Sequence, residues 1–250
     1  MWTTIAGGQG TTTELTIPSK TYPAGRHAWV YTPAGYPTSC GTGCDFILVF
    51  DGAMYLEAMP LPQILDSLIA ARKLAPAVAL LFDNGAPPGR LEDLANSHKF
   101  SAFVANELIP WARTHYTMTR DPMRSLITGS SAGGLGAAYI ALEHPELFGK
   151  VFSQSGAFWR GNEASNAPPF EWTTSRVTSG AKVNVQFMLD VGSAESAGAL
   201  GGTAPSLLEA NRHLRDALLA KGYRLTYFEV PGGIHSPDTW GKRLPAGLVT

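Results

Sequence analysis

The feature that most constrains this chain is the pentapeptide Gly129-Ser130-Ser131-Ala132-Gly133. It follows the apolar run Ser125-Leu126-Ile127-Thr128 and opens the small-residue segment Gly133-Gly134-Leu135-Gly136-Ala137-Ala138. A G-x-S-x-G pattern set between a strand and a helix describes a sharp reversal with a serine at its tip. Glycines two residues either side tolerate the strained backbone of such a turn. A serine hydroxyl is a weak nucleophile until it is held beside a base. The pattern makes Ser131 the candidate nucleophile and Ser130 its neighbour, and it demands a sheet that delivers a base and an acid from later loops.

The rest of the chain reads as such a sheet. Alternation at residues 13–17 and 26–31 predicts two early strands. Residues 46–50 and 77–82 are apolar on both faces, as central parallel strands are. Between them Pro60 and Pro62 suit a helix start, with Ile64, Leu65, Leu68 and Ile69 as its apolar face. Residues 83–96 read as a polar loop. Ser97 suits the cap of a helix striped by Phe100, Phe103, Val104, Leu108 and Trp111, with Pro110 kinking its end. After the elbow strand and helix, residues 151–153 and 183–191 read as strands. Residues 205–221 read as a helix ended by Gly222, and 224–230 as the last long strand. A short helix closes the chain. Residues 159–181 resist assignment. This alternation predicts one α/β domain over residues 1–250, with a mostly parallel sheet, antiparallel strands at the start and helices on both faces.

Six histidines compete to serve as the base. His98, His115, His144 and His213 fall on helices or their ends, and His27 lies in an early strand. His235 alone sits in a glycine-rich loop after the last long strand, in Pro231-Gly232-Gly233-Ile234-His235, where a histidine completes the chain order serine, acid, histidine. The acid belongs after the strand at 183–191. Asp190 lies within that strand and Glu195 in the loop beyond it. Chain order permits both, and Glu195 is preferred because a loop position reaches over the sheet edge. Asp238 is assigned to capping the closing helix. Attack on a carbonyl also needs two backbone N–H groups aimed at the developing oxyanion. Ala132 follows the nucleophile and supplies one; Gly52 or Ala53, after the strand at 46–50, supplies the other.

Composition excludes several alternatives. The formal net charge of −1 gives no footprint for nucleic acid. No apolar run approaches the roughly 18 residues of a membrane span. The segment Met1-Trp2-Thr3-Thr4-Ile5 lacks the basic and apolar regions of a signal peptide. As written the chain reads as cytoplasmic, and as periplasmic or secreted if a signal has been removed and its two cysteines are bonded. Those cysteines, Cys40 and Cys44, stand in one loop. A small disulfide and two free thiols are both open; a zinc site needs four ligands and no second pair exists.

Further residues carry a resemblance. They include Val30-Tyr31-Thr32-Pro33 with Gly35-Tyr36, then Phe50-Asp51-Gly52 and Glu57-Ala58-Met59-Pro60. They continue through Arg90-Leu91-Glu92-Asp93-Leu94, Asn106-Glu107-Leu108-Ile109-Pro110 and the elbow. Phe152-Ser153-Gln154-Ser155-Gly156-Ala157-Phe158-Trp159 and Gly232-Gly233 with His235 and Trp240 complete the set. In these the chain resembles the enterochelin esterase-like family over residues 26–245. The resemblance implies an α/β-hydrolase fold and a serine esterase with Ser131, His235 and Glu195 as its triad. Asp93 stands where the family usually has Glu, and Ile234 is inserted between the glycines and the histidine. Only the catalytic part of an enterochelin esterase is resembled.

The expected activity is hydrolysis of a small-molecule carboxylic ester, without cofactor or metal. Arg90, Trp159, Trp172 and Trp240 are the candidates for a substrate pocket, and an aromatic acyl group such as a catecholate or ferulate suits it. An acyltransferase using the same triad and a non-catalytic binding module on the same fold are the alternatives.

Overall fold

In a computed structural model of the protein, residues 8–162 and 166–249 are described. Met1-Trp2-Thr3-Thr4-Ile5 therefore lies outside the described residues. The strands are β1 (Thr11–Ile17), β2 (Arg26–Thr32), β3 (Asp45–Phe50), β4 (Ala77–Phe82), β5 (Ser125–Ser130), β6 (Lys150–Gln154), β7 (Gln186–Gly192), the short β8 (Ala204–Ser206) and β9 (Arg224–Val230). The α-helices are α1 (Gly52–Glu57), α2 (Leu61–Ala70), α3 (Gly89–Leu94), α4 (His98–Phe103), α5 (Ile109–His115), α6 (Ala132–Glu143), α7 (Trp172–Ser179), α8 (Ala199–Gly202), α9 (Leu207–Ala220) and α10 (Pro237–Leu248).

Eight strands form one sheet in the order β1-β2-β4-β3-β5-β6-β7-β9. β1 and β2 run antiparallel, and every pairing from β4 through β9 is parallel. Burial explains the placement. β3, β4 and β5 carry apolar or small side chains on both faces and are buried almost throughout, whereas edge strands β1 and β9 keep one face wet. The chain leaves β3 for β4 on one side, then crosses to β5 on the other. That reversal opens a crevice at the carboxyl ends of β3 and β5, where ligands bind in open α/β sheets.

The core has two halves, one on each sheet face. On one, β-strand residues such as Phe46, Leu48 and Ile127 meet α3, α4, α6, α7 and α9. On the other, Ile47, Val49 and Phe152 meet α1, α2 and α10. α6 is buried along nearly its whole length. It has no polar stripe because the sheet covers one side and flanking helices the other.

Several expectations are corrected. Gly52 and Ala53, expected in a loop after the strand at 46–50, open α1, and the loop at 83–96 contains α3. The intractable stretch 159–181 contains α7. β7 begins at Gln186, three residues later than expected. Pro110 stands in α5 just after a π turn at Val104–Leu108; a widened turn accommodates the proline ring and the donor it lacks. The closing helix is 12 residues long, and Ser236 caps it by accepting from the Thr239 N–H at 3.3 Å. Asp238 instead pairs with Lys242. Cys40 and Cys44 are joined in a buried disulfide. Among the described residues no helix is long and apolar enough to cross a membrane.

Candidate active site

The site is built where β5 turns into α6. Ser131 lies at φ 59° and ψ −120°, a conformation an L-residue adopts only when its surroundings over-determine it. The glycines are required by contact. A Cβ on Gly129 would stand 2.5 Å from the Gly133 carbonyl carbon, and one on Gly133 would stand 3.0 Å from the Asp51 carboxylate. The turn is pinned from the neighbouring strand, since the Ser131 N–H donates to the Gln154 carbonyl at 2.9 Å.

The loops after β7 and β9 converge on this serine. His235 Nε2 lies 3.0 Å from Ser131 Oγ. Its Nδ1 lies 2.6 Å from Glu195 Oε2. The Glu195 side chain is 2% exposed. Its other oxygen, Oε1, accepts from the Gly192 N–H at 2.9 Å and from the Ser155 hydroxyl at 2.5 Å. The two loops touch so closely that a Cβ on Gly192 would meet the Gly233 carbonyl oxygen at 2.2 Å. Glycine at 192 is thus what lets acid and histidine approach. Ile234, the inserted residue, points away from the core and is 58% exposed, so its insertion leaves His235 in reach.

Asp190 does not meet His235. Its carboxylate faces inward, accepting from Gln154 Nε2 at 3.3 Å with Arg243 Nε at 3.9 Å. Burial pushes this carboxyl up to about 7. Ionisation is costly there because water is excluded and the pairing is loose.

Ala132 is the first residue of α6, and Ala53 the second of α1. First-turn N–H groups have no acceptor inside their own helix and carry the positive end of its dipole. Ala53 lines the crevice, and Ala132 directly follows Ser131. Gly52 packs instead against β4, where a Cβ would stand 2.7 Å from the Leu81 carbonyl carbon.

A cavity of about 380 Å³ opens on Ser131 and His235 and is walled by Ala53, Met54, Asp83, Gly85, Arg90 and Trp240. Arg90 reaches this wall already paired, its Nε and Nη2 donating to the two Asp51 oxygens at 2.5 and 2.6 Å. Such a fork is geometrically specific. It braces Asp51, whose left-handed backbone (φ 58°) starts α1. Trp240 stands edge-to-face on the His235 ring, centroids 4.8 Å apart. The other two tryptophans are elsewhere. Trp159 is buried beneath the Arg160 guanidinium at 4.6 Å, and Trp172 packs on Tyr139 at 5.4 Å. Neither lines the cavity.

Sequence reasoning passed over Asp51, Tyr55 and Ser155 as parts of this site. The Tyr55 hydroxyl, fully buried, lies 2.9 Å from that of Ser130 and ties α1 to the elbow strand. Burial raises the Tyr55 phenol well above its ordinary value. The available signal was the run Phe152-Ser153-Gln154-Ser155-Gly156, too polar for the middle of a buried strand.

The fold, with its mostly parallel sheet, antiparallel opening strands and strand–turn–helix elbow, is that of an α/β-hydrolase. The chain belongs to the Esterase family, whose model ("Putative esterase") matches residues 19–250. It is similar to the iron(III) enterobactin esterase of Escherichia coli O6:H1, 28% identical over 227 residues that make up 90% of this chain and 53% of that protein. The iron(III) enterobactin esterase of Dickeya dadantii is 36% identical over 143 residues, 55% of this chain and 31% of that one. Among solved structures, the enterobactin esterase of Shigella flexneri with 2,3-di-hydroxy-N-benzoyl-glycine superimposes with a TM-score of 0.81 at 25% identity. It covers 96% of this chain and 58% of its own. A ferulic acid esterase shares the fold, with a TM-score of 0.79 at 17% identity over 96% of this chain and 97% of its own. The chain thus spans about half the length of the enterobactin esterases it matches over most of its own length.

Proposed function

We propose that this protein hydrolyses carboxylic esters through an acyl-enzyme formed on Ser131. The observation that carries the reading is the continuous hydrogen-bonded line Ser131–His235–Glu195, at 3.0 and 2.6 Å. Glu195, ionised, only accepts; His235 Nδ1 must then carry the proton, which leaves the Nε2 lone pair facing Ser131. As Ser131 Oγ bonds to the ester carbonyl carbon, its proton passes to Nε2. The imidazolium that forms is stabilised by Glu195. Negative charge gathers on the carbonyl oxygen, where the N–H groups of Ala132 and Ala53 receive it. Collapse breaks the bond to the alcohol oxygen, which leaves with the proton from Nε2. Water then repeats the sequence on the acyl-serine and releases the acid and free Ser131.

The relatives and the cavity wall support a substrate class. An ester bearing an aromatic group, with catecholate siderophore esters as the first choice and feruloyl-type esters as the second, suits a cavity bounded by Trp240, Met54 and the Arg90–Asp51 pair. The test uses a p-nitrophenyl ester and then a panel of aryl, catecholate and alkyl esters. Ser131→Ala is expected to lower kcat roughly 10⁴-fold or more. Retention of most of the wild-type rate would refute the nucleophile. A panel in which alkyl esters outrun all aryl ones would refute the substrate class.

A further inference from the structure

Ser155 is a polar residue that the chemistry above does not use. It lies at the carboxyl end of β6, is wholly buried, and holds a left-handed backbone at φ 48°. Serine is not an obvious choice for that position, where glycine or asparagine is less strained. Its backbone is fixed by an N–H bond to the Asp190 carbonyl at 2.7 Å. Its hydroxyl makes two contacts. It lies 2.5 Å from Glu195 Oε1 and 2.9 Å from the indole nitrogen of Trp240.

The direction of the protons from Trp240 to Glu195 follows from the groups themselves. An indole N–H is a donor only. The Ser155 oxygen must therefore accept from Trp240, and its single proton is left for Glu195. Glu195 Oε1 then receives two donors, Ser155 and the Gly192 N–H. Both act on one oxygen, so the carboxylate cannot rotate and Oε2 is presented to His235. The indole that begins the line also stacks edge-on against the imidazole that ends it.

We infer that Ser155 is a positioning residue for the reaction. It hands the fixed polarity of the Trp240 N–H to Glu195, and so sets the orientation and proton arrangement of His235. The line Trp240–Ser155–Glu195–His235–Ser131 joins α10, β6 and the loops after β7 and β9 to the elbow. The inference rests on the serine-esterase reading proposed above.

The test compares Ser155→Ala and Ser155→Gly, alone and combined with Glu195→Gln, on an aryl ester. Glycine suits the positive φ, so it removes the hydroxyl without adding backbone strain and serves if the alanine variant folds poorly. Either is expected to lower kcat roughly 10- to 100-fold with KM within about twofold, since the residue acts through the acid and not on bound substrate. In the Glu195→Gln background the same substitutions should cost little more, because residues acting as one unit are not additive. Trp240→Phe keeps a ring against His235 but loses the N–H, and should reproduce part of the loss only where Ser155 is present. An unchanged kcat in Ser155→Gly overturns the inference. So does a loss of equal size with and without Glu195, which marks a purely structural role. Failure of the underlying reading is distinguishable, because wild-type turnover would then survive Ser131→Ala.

Discussion

Two buried carboxylates stand at the end of β7, and their surroundings separate them. Glu195 receives two donors on one oxygen and faces His235 with the other. Asp190 is held by one amide N–H at 3.3 Å and a distant guanidinium. Glu195→Gln is expected to lower kcat by roughly 10²- to 10⁴-fold, as replacing the acid of such a line does. Asp190→Asn should stay within about threefold of wild type. Steady-state kinetics of the two variants check this, and the opposite ranking would exchange their roles. Asp190 makes a further prediction through stability. Its carboxyl is raised from the ordinary 3.8 to about 7 by burial, so between those values the folded protein binds a proton the unfolded chain has lost. Stability from this group is therefore present below about 4 and declines as pH rises toward 7. Thermal melts of Asp190→Asn against wild type should show the variant gaining relative stability from pH 5 to pH 8. At this scale Ser131 and His235 stood out in the sequence as candidates, because an elbow and a late glycine-rich loop are local patterns. Chain order admitted both acids and could not rank them by contact. The tryptophans were opaque for the same reason: exposure to a cavity depends on which element covers which, and only Trp240 of the three faces it.

Elements with long apolar periods were legible; those set by backbone contact were not. α9 shows both. Residues 205–221 were legible as a helix, yet the capping box that fixes its start, Ser206 with Glu209, was passed over although its S-x-x-E spacing is a local signal. Ser206 accepts from the Glu209 N–H at 3.1 Å, and the Glu209 carboxylate accepts from the Ser206 N–H at 2.8 Å. Ser206→Ala should cost about 1 kcal/mol, read as a fall in Tm of about 2–4 °C for a chain of this size. α1 is the opposite case. Gly52 and Ala53 read as part of a loop, yet they open a six-residue helix whose left-handed N-cap, Asp51, is braced by Arg90 on the unforeseen α3. A partner 39 residues away has no local signature, and the oxyanion N–H proposed for Ala53 depends on it. Arg90→Ala should therefore lower kcat as well as stability. Arg90→Lys should rescue only part of either, since an ammonium cannot make the two-pronged contact; kinetics alongside melts would separate a site effect from simple unfolding.

The whole molecule brings four strand ends to one edge of a single sheet. β3, β5, β7 and β9 run parallel in neighbouring or near-neighbouring positions, so the loops that follow them necessarily meet above the same crevice. This is why residues as distant as 131 and 235 touch, and why fold class and candidate site were read together. The two early strands lie beyond β4, to which β2 pairs antiparallel, and the connection between them is held by a long-range clamp. Glu107, within the π turn, receives the Ser19 hydroxyl at 2.7 Å, the Lys20 N–H at 2.7 Å, and the N–H and hydroxyl of Thr21 at 3.1 and 2.5 Å. These donors hold its carboxyl down to about 2 from the ordinary 4.5, the Thr21 hydroxyl contributing most. The sign is the reverse of Asp190. The clamp's contribution is fully present above about 4.5 and is lost as pH falls toward 2, because the folded state must then accept a proton it resists. An amide at this position offers one acceptor oxygen and turns an N–H₂ toward a backbone N–H that cannot receive it, leaving only a hydroxyl able to reverse its role. Glu107→Gln is therefore expected to melt a few degrees lower at pH 7, with the gap to wild type closing between pH 4.5 and pH 2. Hydrogen exchange should locate the loosening in the β1–β2 connection at residues 18–25. A difference that persists undiminished at pH 2 would mean that the carboxylate's charge contributes nothing to holding the early strands.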